Sequence, residues 1–222
     1  MQQDPFPAWF FDRDDPSDDA RFYRSLRLVT HIDDDAIAAV GDLYAELGID
    51  GAAPAPTRVL DLMSSWISHF RTAPAELVVL GMNAAELEAN AAATERVVQD
   101  LNADPSLPFP DASFDGVVCC VSIDYLVRPV AVLAEAARVL RPGAPLAVTF
   151  SNRCFPTKAI AGWLATDDAG HVRVVQDYVR LAGGFDEPVA QRRTPAGLEE
   201  GGRHRGDPLL AVVARRSGDP VP

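Results

Sequence analysis

Residues 58–70, RVLDLMSSWISHF, constrain the fold of this chain more than any other stretch. Val59, Leu60, Asp61 and Leu62 form a short apolar run interrupted by one carboxylate. That is the pattern of a buried central strand ending at a functional loop. Where such a strand meets a nucleotide, the following turn is ordinarily glycine-rich, so that backbone can approach the ligand. Here the turn is Met63-Ser64-Ser65-Trp66, with no glycine.

The segments around this strand alternate. Residues 76–81 (ELVVLG) form a second apolar strand, and Asn83 caps a helix over 84–93. Val97 and Val98 mark a third strand, residues 117–121 a fourth and 146–150 a fifth. A helix over 129–140 places Leu133, Ala136, Ala137 and Leu140 on one face and ends at Arg141-Pro142-Gly143. A short helix is expected after Trp66, and another after residues 151–163. A helix over 171–182 stops at Gly183-Gly184, and residues 187–192 and 209–214 read as the last strands, joined by a Gly- and Arg-rich loop over 194–208. Short connections between alternating strands and helices imply a parallel α/β sheet.

Upstream, Ser17, Asp18 and Asp19 suit a helix start, and Asp33 or Asp34 caps a second helix with Ile37, Val40, Tyr44 and Leu47 in a stripe that Gly48 ends. Phe6, Trp9, Phe10 and Phe11 lie in an acidic arm, and these aromatics are expected to dock on the chain's own domain.

A net charge of −12 argues against a nucleic-acid partner, because a phosphate backbone is repelled by such a field. Cys119, Cys120 and Cys154 make neither a disulfide framework nor a zinc pattern, and no metal is expected. As strand neighbours, Cys119 and Cys120 point to opposite faces. No apolar run reaches the length of a membrane span, and the first residues lack an export-signal pattern, so a cytoplasmic location is expected.

The run LPFPDASFDGVVCC, followed by EAARVLRPGA, resembles the class I S-adenosylmethionine-dependent methyltransferases. The part most like them spans about residues 57–151. It is similar in particular to a methyltransferase type 11-like subgroup with DLMSSW in place of the glycine loop, HID upstream and SNR after the fifth strand. The resemblance implies a Rossmann-like fold: a mostly parallel seven-stranded sheet with an antiparallel last strand and helices on both faces. It also implies an N-terminal arm and helical cap over the pocket (residues 1–50) and a methyltransferase-like domain (51–222).

Carried over residue by residue, Asp61 matches the acid beside the methionine end of the cofactor, S-adenosyl-L-methionine, whose product is S-adenosyl-L-homocysteine. Asp100 matches the acid that accepts from the adenine amino group, with Leu101 and Asn102 forming the adenine slot. Cys120, Val121 and Ser122 match the backbone under the cofactor. Met63, Ser65 and Ile67 replace the family's glycines, and Gly81 stands where the acid that takes the ribose hydroxyls belongs. Each such lost contact removes a charge-assisted bond of roughly 1.5–3 kcal/mol, for which Ser64, Ser65 or Asn83 is expected to compensate. Serine hydroxyls and amides at a helix start would hold the cofactor carboxylate.

Methyl transfer needs in-line approach and a free lone pair, and an oxygen or nitrogen acceptor also needs a base. The candidates are His31, Tyr23, Tyr125 and Asp124, with Tyr125 and His31 taken as catalytic. Tyr23, His69, Tyr125 and Arg153 are the candidate substrate contacts. For each there is a plainer alternative: a structural hydrogen bond for His31, a packing or capping role for His69, a surface salt bridge for Arg153, and core packing for Trp66. The expectation is therefore a methyltransferase acting on a small molecule. Its rivals are a methyltransferase-like fold serving as an interaction or regulatory module, and a nicotinamide-dependent oxidoreductase, which lacks its glycine fingerprint here.

Overall fold

The computed structural model describes residues 6–193, 199–200, 203–204 and 206–218. Most of the Gly- and Arg-rich loop over 194–208 lies outside the described residues.

Strands β1 (Arg58–Leu62), β2 (Glu76–Gly81), β3 (Glu95–Val98), β4 (Gly116–Cys120), β5 (Pro145–Phe150), β6 (Val189–Arg192) and β9 (Leu210–Arg215) build a seven-stranded sheet in the order β3-β2-β1-β4-β5-β9-β6. The strands from β3 to β5 are parallel, and β9 runs antiparallel between β5 and β6. β7 (Glu199–Glu200) and β8 (Arg203–His204) pair separately. The expected mostly parallel sheet with an antiparallel last strand is the observed one.

Both faces of β1 are covered, which explains its unbroken apolar character. Leu60 and Leu62 join one core with α4 (Pro129–Val139) and α6 (Asp168–Ala182), while Val59 joins the other with α2 (Asp34–Glu46). Cys119 and Cys120 divide between the two cores in the same way.

α2 begins where Asp33 Oδ1 accepts from the Ala36 amide at 2.9 Å, with Asp34 and Asp35 in the favourable first turn, and Gly48 follows its end at φ 70°. α1 (Asp19–Phe22) is a single turn capped by Asp18. α3 (Ala84–Ala89) stops short of the expected Ala93, because Asn90 leaves the helix to bond the Ser65 carbonyl and Ser68 Oγ. After β5, only a short helix, α5 (Ala161–Leu164), forms before α6.

The helix expected after Trp66 does not form: residues 66–75 are irregular. α2 already fills the space. Phe70 lies against Tyr44 with ring centroids 4.6 Å apart, and the loop passes so close to Gly41 that a Cβ there would come within 2.8 Å of Arg71 Cγ and 3.1 Å of the His69 carbonyl. Ser68, Thr72 and Pro74 in the same stretch also disfavour a helix.

The N-terminal arm docks as expected. Phe6, Phe10 and Phe11 cluster on Tyr178, and Phe10 lies over Gly162, where a Cβ would overlap its ring. Trp9 alone of the four points outward. Lys158, fully buried, then reaches back to Asp15 at 3.1 Å and Asp19 at 3.0 Å, while Arg13 pairs with Asp19 at 2.7 Å. Buried charges persist only when paired in this manner.

Candidate functional site

Parallel strands leave a crevice at their carboxyl ends. Here it is a cavity of about 550 Å³ over the ends of β1, β2, β3 and β4, within the range of small-molecule sites. Its floor includes Met63, Gly81, Asp100, Leu101, Val121 and Ser122, and its far wall comes from the arm and from residues 153–155.

Two strand ends are bent against side-chain preference. Met63 has φ 55° and Val121 φ 49°, both in the left-handed region. Such conformations cost on the order of 1–3 kcal/mol and cluster at ligand sites. Met63 thus keeps the backbone conformation of a glycine without being one.

Of the residues singled out from the sequence, Tyr23, His31, Met63, Ser64, Ser65, Gly81, Asn83, Asp100, Leu101, Asn102, Val121, Ser122, Tyr125 and Arg153 line this cavity. Asp61, His69 and Cys120 do not. They line an adjoining space of about 80 Å³ that shares Met63, Ser64, Ser65, Val121 and Ser122 as its wall. Asp124 lines neither and lies buried beneath, with Oδ2 unpartnered.

The serines are already engaged. Ser64 Oγ and Ser68 Oγ donate to Asp61 Oδ2 at 2.7 and 2.6 Å, and Ser65 Oγ donates to Glu86 Oε2 at 2.7 Å. Burial pushes the Asp61 carboxyl up to about 6, against the pull of the two hydroxyls. No helix starts at this turn, so the expected helix-start amides are absent here, and the Ser64 amide donates to the Leu80 carbonyl at 2.8 Å.

Asp100 Oδ1 accepts from the amides of Asn102 and Ala103 at 2.8 and 3.3 Å, which fixes the turn after β3. Asn102 is used up by the protein. Its Nδ2 donates to Asp19 Oδ2 and to the Tyr125 carbonyl, and its Oδ1 accepts from the Val127 amide. It is a strut between arm and sheet as well as a cavity wall.

On the opposite side, Tyr23, Tyr125, Phe155, Phe22 and His31 form a continuous aromatic group. Tyr125 Oη accepts from the Phe155 amide at 2.8 Å, whereas Tyr23 Oη is buried without a partner. Burial pushes both phenols far up, so neither ionises near neutrality. Burial draws His31 and His69 below the ordinary histidine value, leaving neutral imidazoles at pH 7. Arg153 donates to Asp207 Oδ1 at 2.6 Å, and Arg27 lies 4.7 Å over the Phe22 ring. Among the described residues no group of three or more His, Cys, Asp or Glu is placed to hold a metal ion.

Glu86, Phe155 and Asp207 were not singled out from the sequence. Glu86 follows Asn83 by three positions, the spacing of a helix cap, which hides its part in the cavity wall. Asp207 has no local signal, because its partners are far away in the chain.

Residues 63–148 match the family model described as a methyltransferase domain. The chain has a class I methyltransferase fold. Solved structures of this methyltransferase fold resemble it over most of their length. The 4+2 cyclase SpnF is 16% identical, covers 86% of this chain and 89% of its own, and has a TM-score of 0.55. An S-adenosylmethionine-dependent methyltransferase from Mesorhizobium loti is 15% identical, with 80% and 98% covered and a TM-score of 0.52. A possible histamine N-methyltransferase from Thermotoga maritima is 16% identical, with 82% and 90% covered and a TM-score of 0.53. At these identities the likeness establishes the methyltransferase fold, and one neighbour is described as a cyclase, so the fold leaves the reaction open. No curated protein sequence matches the chain. No helix among the described residues is long and apolar enough to cross a membrane.

The residues present fit S-adenosylmethionine. Apolar Leu80, Leu101 and Val121 flank the crevice, Asp100 stands at its β3 end, and Tyr23 Oη is an orphaned donor on the far side.

Proposed function

We propose that the chain is a methyltransferase that binds S-adenosylmethionine in the 550 Å³ cavity and methylates a small-molecule acceptor held against the aromatic wall. The observation that carries this reading is the pairing of the two chambers across Met63, Ser64, Ser65, Val121 and Ser122. It places a buried carboxylate with its serines on one side of the strand ends and an aromatic chamber on the other.

In this reading Asp100 accepts from the adenine amino group, with Leu101 and Asn102 beside the base. Met63, Ser64, Ser65, Val121 and Ser122 border the methionine end, with Asp61 and Cys120 behind them in the adjoining space. Of the segment 1–50 expected as a cap, residues within 19–33 line the cavity and in this reading bring Tyr23 and His31 to the acceptor. When bound, the cofactor supplies an electrophilic methyl group on a sulfonium. The chain supplies orientation and a dry site. The Tyr23 hydroxyl stays protonated and donates to the acceptor, Tyr125 is held in place by the Phe155 amide, and His31, neutral at pH 7, takes the proton of an oxygen or nitrogen nucleophile. Arg153 reaches an anionic group of a substrate only by sharing or leaving Asp207.

The second reading, a non-catalytic module, is favoured by one observation: the Ser64 and Ser65 hydroxyls already donate to Asp61 and Glu86. Calorimetric titration with S-adenosylhomocysteine and with NADH separates the readings. Heat with the first alone supports the methyltransferase, and silence with both supports the module.

A further inference from the structure

At Gly81 a side chain has no room. The Ser64 amide donates to the Leu80 carbonyl at 2.8 Å, and this brings the Ser64 carbonyl so close that a Cβ on Gly81 would overlap it. The end of β2 therefore cannot carry an acid while this loop keeps its path. Any carboxylate that meets a bound ribose must come from another element.

Glu86 lies in the first turn of α3, lines the same cavity as Gly81 and is buried. A glutamate three residues after an N-cap ordinarily folds back to the cap's own amide. The Glu86 carboxylate is turned elsewhere. Its Oε1 accepts from the Arg27 amide at 2.8 Å and from Asn83 Nδ2 at 3.3 Å, and its Oε2 accepts from Ser65 Oγ at 2.7 Å. A carboxylate has about four lone-pair sites, so Oε2 keeps capacity for a ligand hydroxyl. The partners of Glu86 come from the arm (Arg27), from the cap of α3 (Asn83) and from the loop after β1 (Ser65), and all three line the cavity. Asn83 also holds the Tyr23 carbonyl at 2.9 Å, and Trp66 Nε1 holds the Val29 carbonyl at 3.1 Å, so residues 23–29 are strapped to β1's loop and to α3.

We infer that Glu86 accepts the ribose hydroxyls of the cofactor in place of the acid missing at Gly81, and that the same carboxylate latches residues 23–29 over the nucleoside. The inference rests on the S-adenosylmethionine reading above. It assigns cofactor selectivity to a residue on α3 and couples that selectivity to the strap through the Arg27 amide.

The test compares S-adenosylhomocysteine with its 2′-deoxy and 3′-deoxy analogues by calorimetry on the full chain, wild type and Glu86→Gln. Gln keeps the shape and can still serve Arg27 and Ser65. The wild type should bind at least one deoxy analogue about 10-fold or more weakly than the parent, the size of a lost charge-assisted bond. Glu86→Gln should bind the parent about 10-fold more weakly and discriminate among the three within about twofold. A purely structural Glu86 would lower all three affinities equally and leave the discrimination intact, which overturns the inference. A wild type indifferent to both deoxy analogues overturns it without any variant. If Glu86→Gln unfolds, Glu86→Asp, whose carboxylate is retracted by one methylene, is read the same way. Absence of heat with the parent nucleoside in the wild type sinks the cofactor reading and this inference together, whereas retained discrimination in the variant sinks this inference alone.

Discussion

Asp33 and Asp207 bind each other's backbone: Asp207 Oδ2 accepts from the Asp33 amide at 3.0 Å, and Asp33 Oδ2 accepts from the Asp207 amide at 2.7 Å. The exchange joins the start of α2 to the segment before β9, two regions 174 residues apart in the chain. It also presents Asp207 Oδ1 to Arg153 at the cavity rim.

Because each acid serves the other's amide, the two substitutions should not add. Asp207→Ala and Asp33→Ala are each expected to destabilise by about 1–3 kcal/mol, the second including loss of the α2 cap. The double variant should fall short of the sum by about 1 kcal/mol in urea unfolding. Full additivity would show that the two contacts are independent.

Asp124 gives the stability a pH dependence of known sign. Burial raises its carboxyl to about 8, above an unfolded value near 4. The folded state therefore holds the proton more tightly, and the stabilisation present at low pH is lost as pH rises through 8. Asp124→Asn cannot titrate. Between pH 5 and 8.5 the wild type should lose on the order of a few kcal/mol relative to this variant. Parallel urea midpoints across that range would contradict the burial argument.

His31 reports on its neighbours. Burial lowers its pKa, Glu86 opposes that shift, and Arg27 reinforces it. Proton NMR should find His31 titrating below 6.5, and Glu86→Gln should move it further down. An upward movement would mean that Glu86 does not face the imidazole.

Lys158 anchors the arm from inside the fold. Lys158→Met leaves Asp15 without its buried cation and Asp19 with Arg13 alone. Breaking a buried pair in this way costs about 3–5 kcal/mol. Limited trypsin digestion should then cut faster at Arg13, Arg21 and Arg24. An unchanged cleavage rate would separate arm docking from this ion cluster.

Gly81→Ala forces the Ser64 carbonyl to move. Overpacking of this kind costs about 1–3 kcal/mol, and the displaced loop should lose S-adenosylhomocysteine affinity as well. A variant with wild-type melting and binding would show that the loop path is soft.

Much of the sheet is legible in the sequence, because β1, β2, β4 and β5 are covered on both faces and so read as unbroken apolar runs. The capping of α2 by Asp33 is legible for a similar reason, since the cap is a local interaction. The course of residues 66–75 is not. It depends on contact with Gly41, in a helix that precedes it by some twenty-five positions, and local propensity carries no record of such contacts. The cavity shows the same division. Asp100, Leu101 and Val121 fall at strand ends that the apolar pattern marks, whereas Glu86 reads as a helix cap and Asp207 acquires its partners only in three dimensions.

The close fit of residues 69–73 on Gly41 and Gly51 has a consequence for protein engineering. A glycine-rich turn and its helix, transplanted into this scaffold from another protein of the same fold, would collide with α2. The loop and α2 are fitted to each other, so a working chimera must exchange them together.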